Sequence, residues 1–238
     1  MPSKFDFMLS KPKMLPIRYS SLGTLEERKR SEIYASIMSN INHRIVFCSS
    51  FLANVNLSFP EKQSFELIQL NFRKICELIA ASCLVADQEV RNVPKISIDS
   101  ESKVGLILST LFKRDKDFFP KSTLPDDFFS EEIRKLYAIR SLGWKEVKNY
   151  YEETHKFLHA GSLKNIESWY NNDSYAPLDW ERCRKITLQF IHLLLRHVKK
   201  TSDGRFIHCK FPQYDGKSGY VIISHSADVP DVPDAPPF

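Results

Sequence analysis

Ile75-Cys76-Glu77-Leu78-Ile79-Ala80-Ala81-Ser82-Cys83-Leu84-Val85-Ala86 carries apolar side chains on almost every side of a helical wheel. A helix of that kind belongs at the centre of a bundle, since no face of it is left to meet water. One turn upstream, Ile68 and Phe72 continue a stripe with Ile75 and Ile79, while Arg73 and Glu77 project opposite it. Those two stand at i and i+4, the spacing at which an arginine and a carboxylate meet on a helix surface.

The chain around this helix is also helical in pattern. Proline is absent between Pro16 and Pro60, between Pro60 and Pro94, and between Pro125 and Pro177, and there are only seven glycines in 238 residues. Either residue inside a helix costs about 1 to 3 kcal/mol, so long stretches without them favour helices. The first helix is expected from Thr24, with Glu27 completing a capping box, to about Asn54 through Ile33, Ile37, Ile41, Ile45 and Cys48. The central one spans Glu61 to Asp87, and a third runs from Asp99 or Ser100 to Phe112. Then follow Ser130 to Arg140, Trp144 to Ala160 with Gly161 as a left-handed cap, and Leu163 to Tyr170. The last covers Leu178 to Lys200, where Arg196, His197, Lys199 and Lys200 match the negative end of the helix dipole.

Beyond Gly204 the period changes to two. Arg205 to Phe211 and Tyr220 to His225 read as a hairpin, with Ile207, Cys209 and Phe211 turned to the core and Phe206, His208 and Lys210 turned away. A lone hairpin is marginal in water, so this one should pack on the helices or pair with another chain. The expected fold is mainly α, a multi-helix bundle with a C-terminal β-hairpin. Its parts are an extended segment 1–23, a helical domain 24–203, the hairpin 204–227 and an acidic, proline-rich tail 228–238 without fixed structure.

Composition excludes little. With 34 Lys and Arg against 29 Asp and Glu the chain carries +5, compatible with a polyanion partner without requiring one. The five cysteines (Cys48, Cys76, Cys83, Cys183 and Cys209) fit neither a zinc pattern nor a disulfide framework. They suit a reducing cytoplasm, where a buried thiol behaves as a small hydrophobe. No run of about 18 apolar residues marks a membrane span, and the first residues carry no signal-peptide pattern.

The most chemically loaded stretch is Tyr150-Tyr151-Glu152-Glu153-Thr154-His155-Lys156-Phe157-Leu158-His159. Histidines at i and i+4 can chelate a metal, but Lys156 stands where a metalloprotease needs glutamate. Glu152 and His155 form a single Glu-x-x-His where a di-iron bundle needs two. No metal and no cofactor is therefore expected. The alternative is general acid–base chemistry on RNA, in which His155 or His159 takes a 2′-hydroxyl proton and Arg73 stabilises the phosphorane. Arg73, Glu77, Tyr151, His155 and His159 form the candidate catalytic set, on condition that the two helices touch; the bland reading makes the histidines packed edge residues and Arg73–Glu77 an ordinary ion pair. Lys113, Arg114 and Lys116, followed by Phe118 and Phe119, mix cations with aromatics as single-strand binders do. They also read as a solvated helix end before a buried Phe-Phe-Pro turn.

Arg73 to Ile79, Phe118-Phe119-Pro120, Tyr151 with His155, Leu158-His159-Ala160, and Ile191-His192-Leu193-Leu194 before the strands together resemble a family of uncharacterised bacterial helical proteins over residues 60–225. That resemblance implies a fold and no activity. The helical layout is also similar to the HEPN class, some members of which are metal-independent ribonucleases of toxin and phage-defence systems. Their signature places a histidine four to six residues after an arginine on one helix. Here Arg184 and His192 have seven residues between them, and Arg205 and His208 have two.

The functional expectation is a cytoplasmic interaction or nucleic-acid-associated module, in the setting of a bacterial defence or mobile-element system. RNA or DNA, a protein partner and a second copy of the chain are the expected partners. The alternatives are a HEPN-like endoribonuclease and a non-catalytic subunit whose acidic tail docks on another protein.

Overall fold

The computed structural model describes residues 17–19, 25–53, 61–87, 103–124, 128–158, 179–211 and 219–224; at 17–19, 25–27, 61, 62, 103, 155–158 and 223 it describes backbone alone. The fold is mainly helical with a small sheet toward the C-terminus. Several expectations fall outside the described residues: the Thr24 cap, the Gly161 stop, the helix at 163–170 and the tail.

The helix read as central, α2 (Glu61–Ala86), packs on α1 (Leu25–Ala53), α3 (Lys103–Arg114) and α5 (Trp144–Leu158). Ile68, Phe72, Ile75, Cys76, Ile79 and Cys83 are fully buried, so the all-round apolar pattern does what it implies. A final helix, α6 (Trp180–Leu194), lies against α1. The Tyr150 hydroxyl of α5 donates to Gln189 Oε1 of α6 at 2.6 Å, and Phe72 meets Phe190 at 6.0 Å between ring centres. Among the described residues no helix is long and apolar enough to cross a membrane.

On α1 the stripe through Ile33 and Ile37 is not the buried one. Tyr34, Met38, Ile41, Ile45, Cys48 and Leu52 form the buried seam, whereas Ile33 is 47% exposed. The reason is geometric: steps of four residues alone drift about 40° each, while alternating steps of four and three stay in line.

Helix ends follow local chemistry. Ser130 caps α4 (Glu131–Tyr137) by accepting the Ile133 N–H, and the helix stops short of Arg140 because Ala138 turns left-handed at φ 45°. Ahead of α5 the Gly143 N–H donates to Glu146 Oε2 at 3.1 Å, half of a capping box. Asp179 Oδ1 accepts the Arg182 N–H at 2.8 Å and starts α6.

The sheet corrects the sequence reading at its largest error. The last helix ends at Leu194, and Arg196–Lys200 is a strand, β3, not a basic helix end. The full sheet has β1 (Ile17–Tyr19), β2 (Lys121–Ser122), β3, β4 (Phe206–Lys210) and β5 (Tyr220–Ser224) in the order β1-β5-β4-β3-β2. Only β1 and β5 run parallel. The hairpin β4–β5 is therefore flanked on both sides within its own chain. Ile207, Cys209 and Phe211 face the core as expected, and His208 is buried too, with Nε2 2.9 Å from Ser224 Oγ.

β3 escaped notice because its inward residues are polar. His197 and Lys199 sit opposite Cys209 and Ile207 on the helix-facing side, and both are buried. Leu194 C=O can only accept, so His197 Nδ1 donates to it at 2.9 Å. Nε2 is then left to accept the Tyr34 hydroxyl proton, also at 2.9 Å. Lys199 Nζ pairs with Asp87 Oδ1 at 3.1 Å and also donates to Lys200 C=O. Each inward polar group thus has a partner, which is what makes its burial tolerable.

Among the cysteines, all five thiols are free and buried. Burial pushes Cys83 and Cys183 up to about 12 and raises the other three as well. They are packing residues, without the thiolate that reactivity needs.

Candidate functional site

The condition set by the sequence, that the helices bearing Arg73 and His155 touch, is met by the packing of α2 on α5. Arg73 leaves α2 beside the buried Phe72 and reaches across the helix junction. Its Nε donates to Glu77 Oε1 at 3.2 Å, and its Nη2 donates to Tyr151 Oη at 3.2 Å. The guanidinium carbon lies 4.9 Å from the Tyr151 ring centre. Lys74 Nζ donates to Glu77 Oε2 at 2.7 Å, so two cations share one carboxylate.

Burial raises the Tyr151 phenol above its ordinary value, with Arg73 pulling the other way and Glu77 adding to the rise. The phenol therefore stays neutral near pH 7 and accepts from the arginine. The packing of α2 on α5 brings Arg73, Glu77 and Tyr151 together. The backbone of His155 follows Tyr151 by one turn of α5, but its side chain and all of His159 lie outside the described residues. Among the described residues no three His, Cys, Asp or Glu side chains gather into a metal-binding group.

The second candidate lies where α3 ends. Val104, Leu108 and Leu111 bury the inner side of that helix, leaving Lys113 and Arg114 exposed in its last turn. Asp115 then turns the chain by accepting the Asp117 N–H at 2.8 Å, which drops Phe118 and Phe119 into the core. The solvated helix end before a buried Phe-Phe-Pro turn is the observed arrangement.

What linear spacing did not reveal is the aromatic pair beside these cations. Phe112 packs on Trp144 of α5 with ring centres 5.0 Å apart, and both rings keep part of their surface in solvent. Lys116 Nζ stands 3.7 Å over the Phe112 ring, and Lys145 Nζ is 5.8 Å from the centre of Trp144. Trp144 and Lys145 lie some thirty positions along the chain from the cations they join, so only tertiary packing assembles the set.

The basic surface continues to the sheet. Lys121, on edge strand β2, donates to Asp117 Oδ1 at 2.8 Å. That bond, with the charges of Lys121 and of Lys200 on β3, holds the Asp117 carboxyl below its ordinary range. Both carboxylates of the turn are thereby engaged locally, Asp115 by backbone and Asp117 by lysine. Lys113, Arg114 and Lys116 follow Phe112 within four positions of the chain, and Lys145 adjoins Trp144.

No family model, no characterised protein and no solved structure matches the chain.

Proposed function

We propose that the chain is a nucleic-acid-associated module that holds a single strand on the edge formed by the end of α3 and the start of α5. The carrying observation is the Phe112–Trp144 pair with lysine ammonium groups over its rings. Partly exposed aromatic rings offer stacking surface to any base, and the nearby cations suit the phosphates between bases.

The lysine now over Phe112 does not block this use. An exposed cation–π contact contributes about 0.5 to 1 kcal/mol, whereas stacking a base on an aromatic ring contributes about 1 to 3 kcal/mol. The exchange favours the base, and Lys116 swings out to a phosphate.

Binding of a fluorescent single-stranded oligonucleotide, followed by anisotropy over a salt series, tests the proposal. Affinity should fall steeply with salt, by about 0.7 in log–log slope for each phosphate contacted. Lys113→Glu with Lys116→Glu should weaken binding about 10-fold or more and flatten the slope by about 1.4. Trp144→Leu, which keeps apolar bulk under the turn, should weaken binding while leaving the slope unchanged. Absence of binding at low salt, or equal binding by the charge-reversed variant, rejects the proposal.

A second reading, metal-independent RNA cleavage, is favoured by the Arg73–Tyr151 hydrogen bond, which sets a guanidinium on α5 one turn ahead of His155. On that reading the protein cleaves RNA in the presence of chelator. Arg73→Met, His155→Ala or His159→Ala should each then lower the rate about 100-fold or more. Binding without cleavage retires this reading and leaves the first intact.

A further inference from the structure

Between the first turns of α1, the end of α2 and the turn from β3 to β4 lies a recess of about 290 Å³, counting its open mouth. Val85, Ala86 and Ile207 form its apolar wall, and Arg30 and Arg205 bring two cations to it. Arg205 is satisfied. Its Nε donates to Asp203 Oδ2 at 3.1 Å, its Nη2 donates to the same oxygen, and Thr201 Oγ1 donates to Asp203 Oδ1. Arg30 is not. It is half-buried, its Nε is shut off from water without a hydrogen-bond partner, and among the described residues no carboxylate pairs with it. A buried donor left without an acceptor costs free energy that an anion in the recess would recover.

Charge and lining set the chemical class of that anion. Two arginines against Asp203 leave one positive charge in excess, and the wall behind them is apolar. A single carboxylate with a small apolar neighbour suits both, and an arginine fork matches a carboxylate with two parallel hydrogen bonds. A phosphate group, at about −1.5 to −2 near pH 7, brings more charge than Arg30 balances and stands against Asp203 as well.

The nearest source of such a group is the chain itself. Ser224, the last residue of β5, stands opposite Phe206, the neighbour of Arg205, and α1 lies against β5. The sequence that follows holds Asp228-Val229-Pro230, Asp231-Val232-Pro233 and Asp234-Ala235-Pro236, with no lysine or arginine among 225–238. Each repeat offers one carboxylate followed by a small apolar residue. Asp228 is four residues past Ser224, a reach of up to about 14 Å. We infer that the recess holding Arg30 and Arg205 binds an aspartate side chain of this Asp-x-Pro repeat, so that the C-terminal segment docks on its own chain. Tethering sets the effective concentration in the millimolar range, so even a weak pair is occupied. The inference stands apart from the nucleic-acid reading, since no residue of the recess belongs to the basic edge on α3 and α5.

Thermal unfolding of the full chain and its variants tests it. Asp228→Asn, Asp231→Asn and Asp234→Asn, made together, change only the segment. They should lower Tm by about 2 to 4 °C in the natural background, and leave it almost unchanged where Arg30→Met has removed the receptor. Equal losses in the two backgrounds, or none in the natural one, overturn the inference. A second measurement needs no substitution inside the fold. Sodium acetate, set against sodium chloride at equal ionic strength, should raise the Tm of the triple-Asn chain by filling the recess and raise that of the natural chain less. General salt effects cancel in the difference between the two chains. Acetate acting equally on both shows a recess that the segment does not occupy, and overturns the inference. A larger difference in sodium phosphate than in acetate overturns the choice of a carboxylate.

Discussion

Replacing Lys199 with alanine is expected to lower folding stability by about 3 to 5 kcal/mol, the cost of breaking a buried ion pair by removing one member. The ammonium is completely buried, and Asp87 at the end of α2 is only 9% exposed. Water reaches the site poorly, so the carboxylate loses its opposite charge beside Cys83, whose thiol senses both members of the pair. Asp87→Asn should cost a similar amount for the mirrored reason. Changing both residues together, Lys199→Met with Asp87→Leu, should recover most of the loss, because an apolar pair of similar volume needs no partner. Urea unfolding of the four proteins measures this directly. Single substitutions costing under about 1 kcal/mol would show the pair to be solvated, in conflict with its place under the sheet.

Stability should also fall as the solution is acidified from pH 6.5 toward 4. Burial, chiefly, holds His197 at about 4, below the usual 6.5; its hydrogen bond to Leu194 C=O opposes the shift and the neighbouring His208 adds to it. The folded-state value is thus depressed, and the unfolded chain takes up a proton in a range where the native protein does not. The contribution is present in full above pH 6.5 and is lost as pH falls through that window. The drop is about 2 kcal/mol by pH 5 and about 3 kcal/mol by pH 4. Tyr34, the other partner of the ring, is neutral throughout, since burial raises its phenol well above 10. Carboxylates add their own acid effects, so the comparison is with His197→Gln, whose stability should change less over the same range. Parallel curves for the two proteins would mean that the ring can be protonated in place.

These two buried pairs explain how far the sequence could be read. The central helix was legible because an apolar surface without a gap has one destination. The Arg73–Glu77 pair was legible because four residues on a helix bring two side chains together. Tyr151 joined them in the structure, where α2 and α5 pack, and nothing in linear spacing alone could have measured that bond. β3 was misread because strand recognition depends on apolar residues at alternate positions, and here the inward positions hold a histidine and a lysine. Their burial rests on Tyr34, Leu194 and Asp87, all supplied by other elements. β1 and β2, at three and two residues, are too short to show a period. On α1 two stripes with the same step compete, one apolar throughout and one interrupted by Asn40 and Arg44. The sequence reading started on the interrupted stripe and drifted onto the buried one.

The basic edge is a surface that sequence patterns mention only in part. Lys113, Arg114 and Lys116 are close in the chain, but the ring pair beside them needs Trp144.

Chemical labelling of lysines, with and without an excess of single-stranded oligonucleotide at low salt, tests the binding edge most directly. Lys113, Lys116 and Lys145 should lose reactivity when the strand is added, while Lys135, equally open on α4, should keep it. Unchanged labelling at the first three, or loss spread evenly over all exposed lysines, would contradict the assignment.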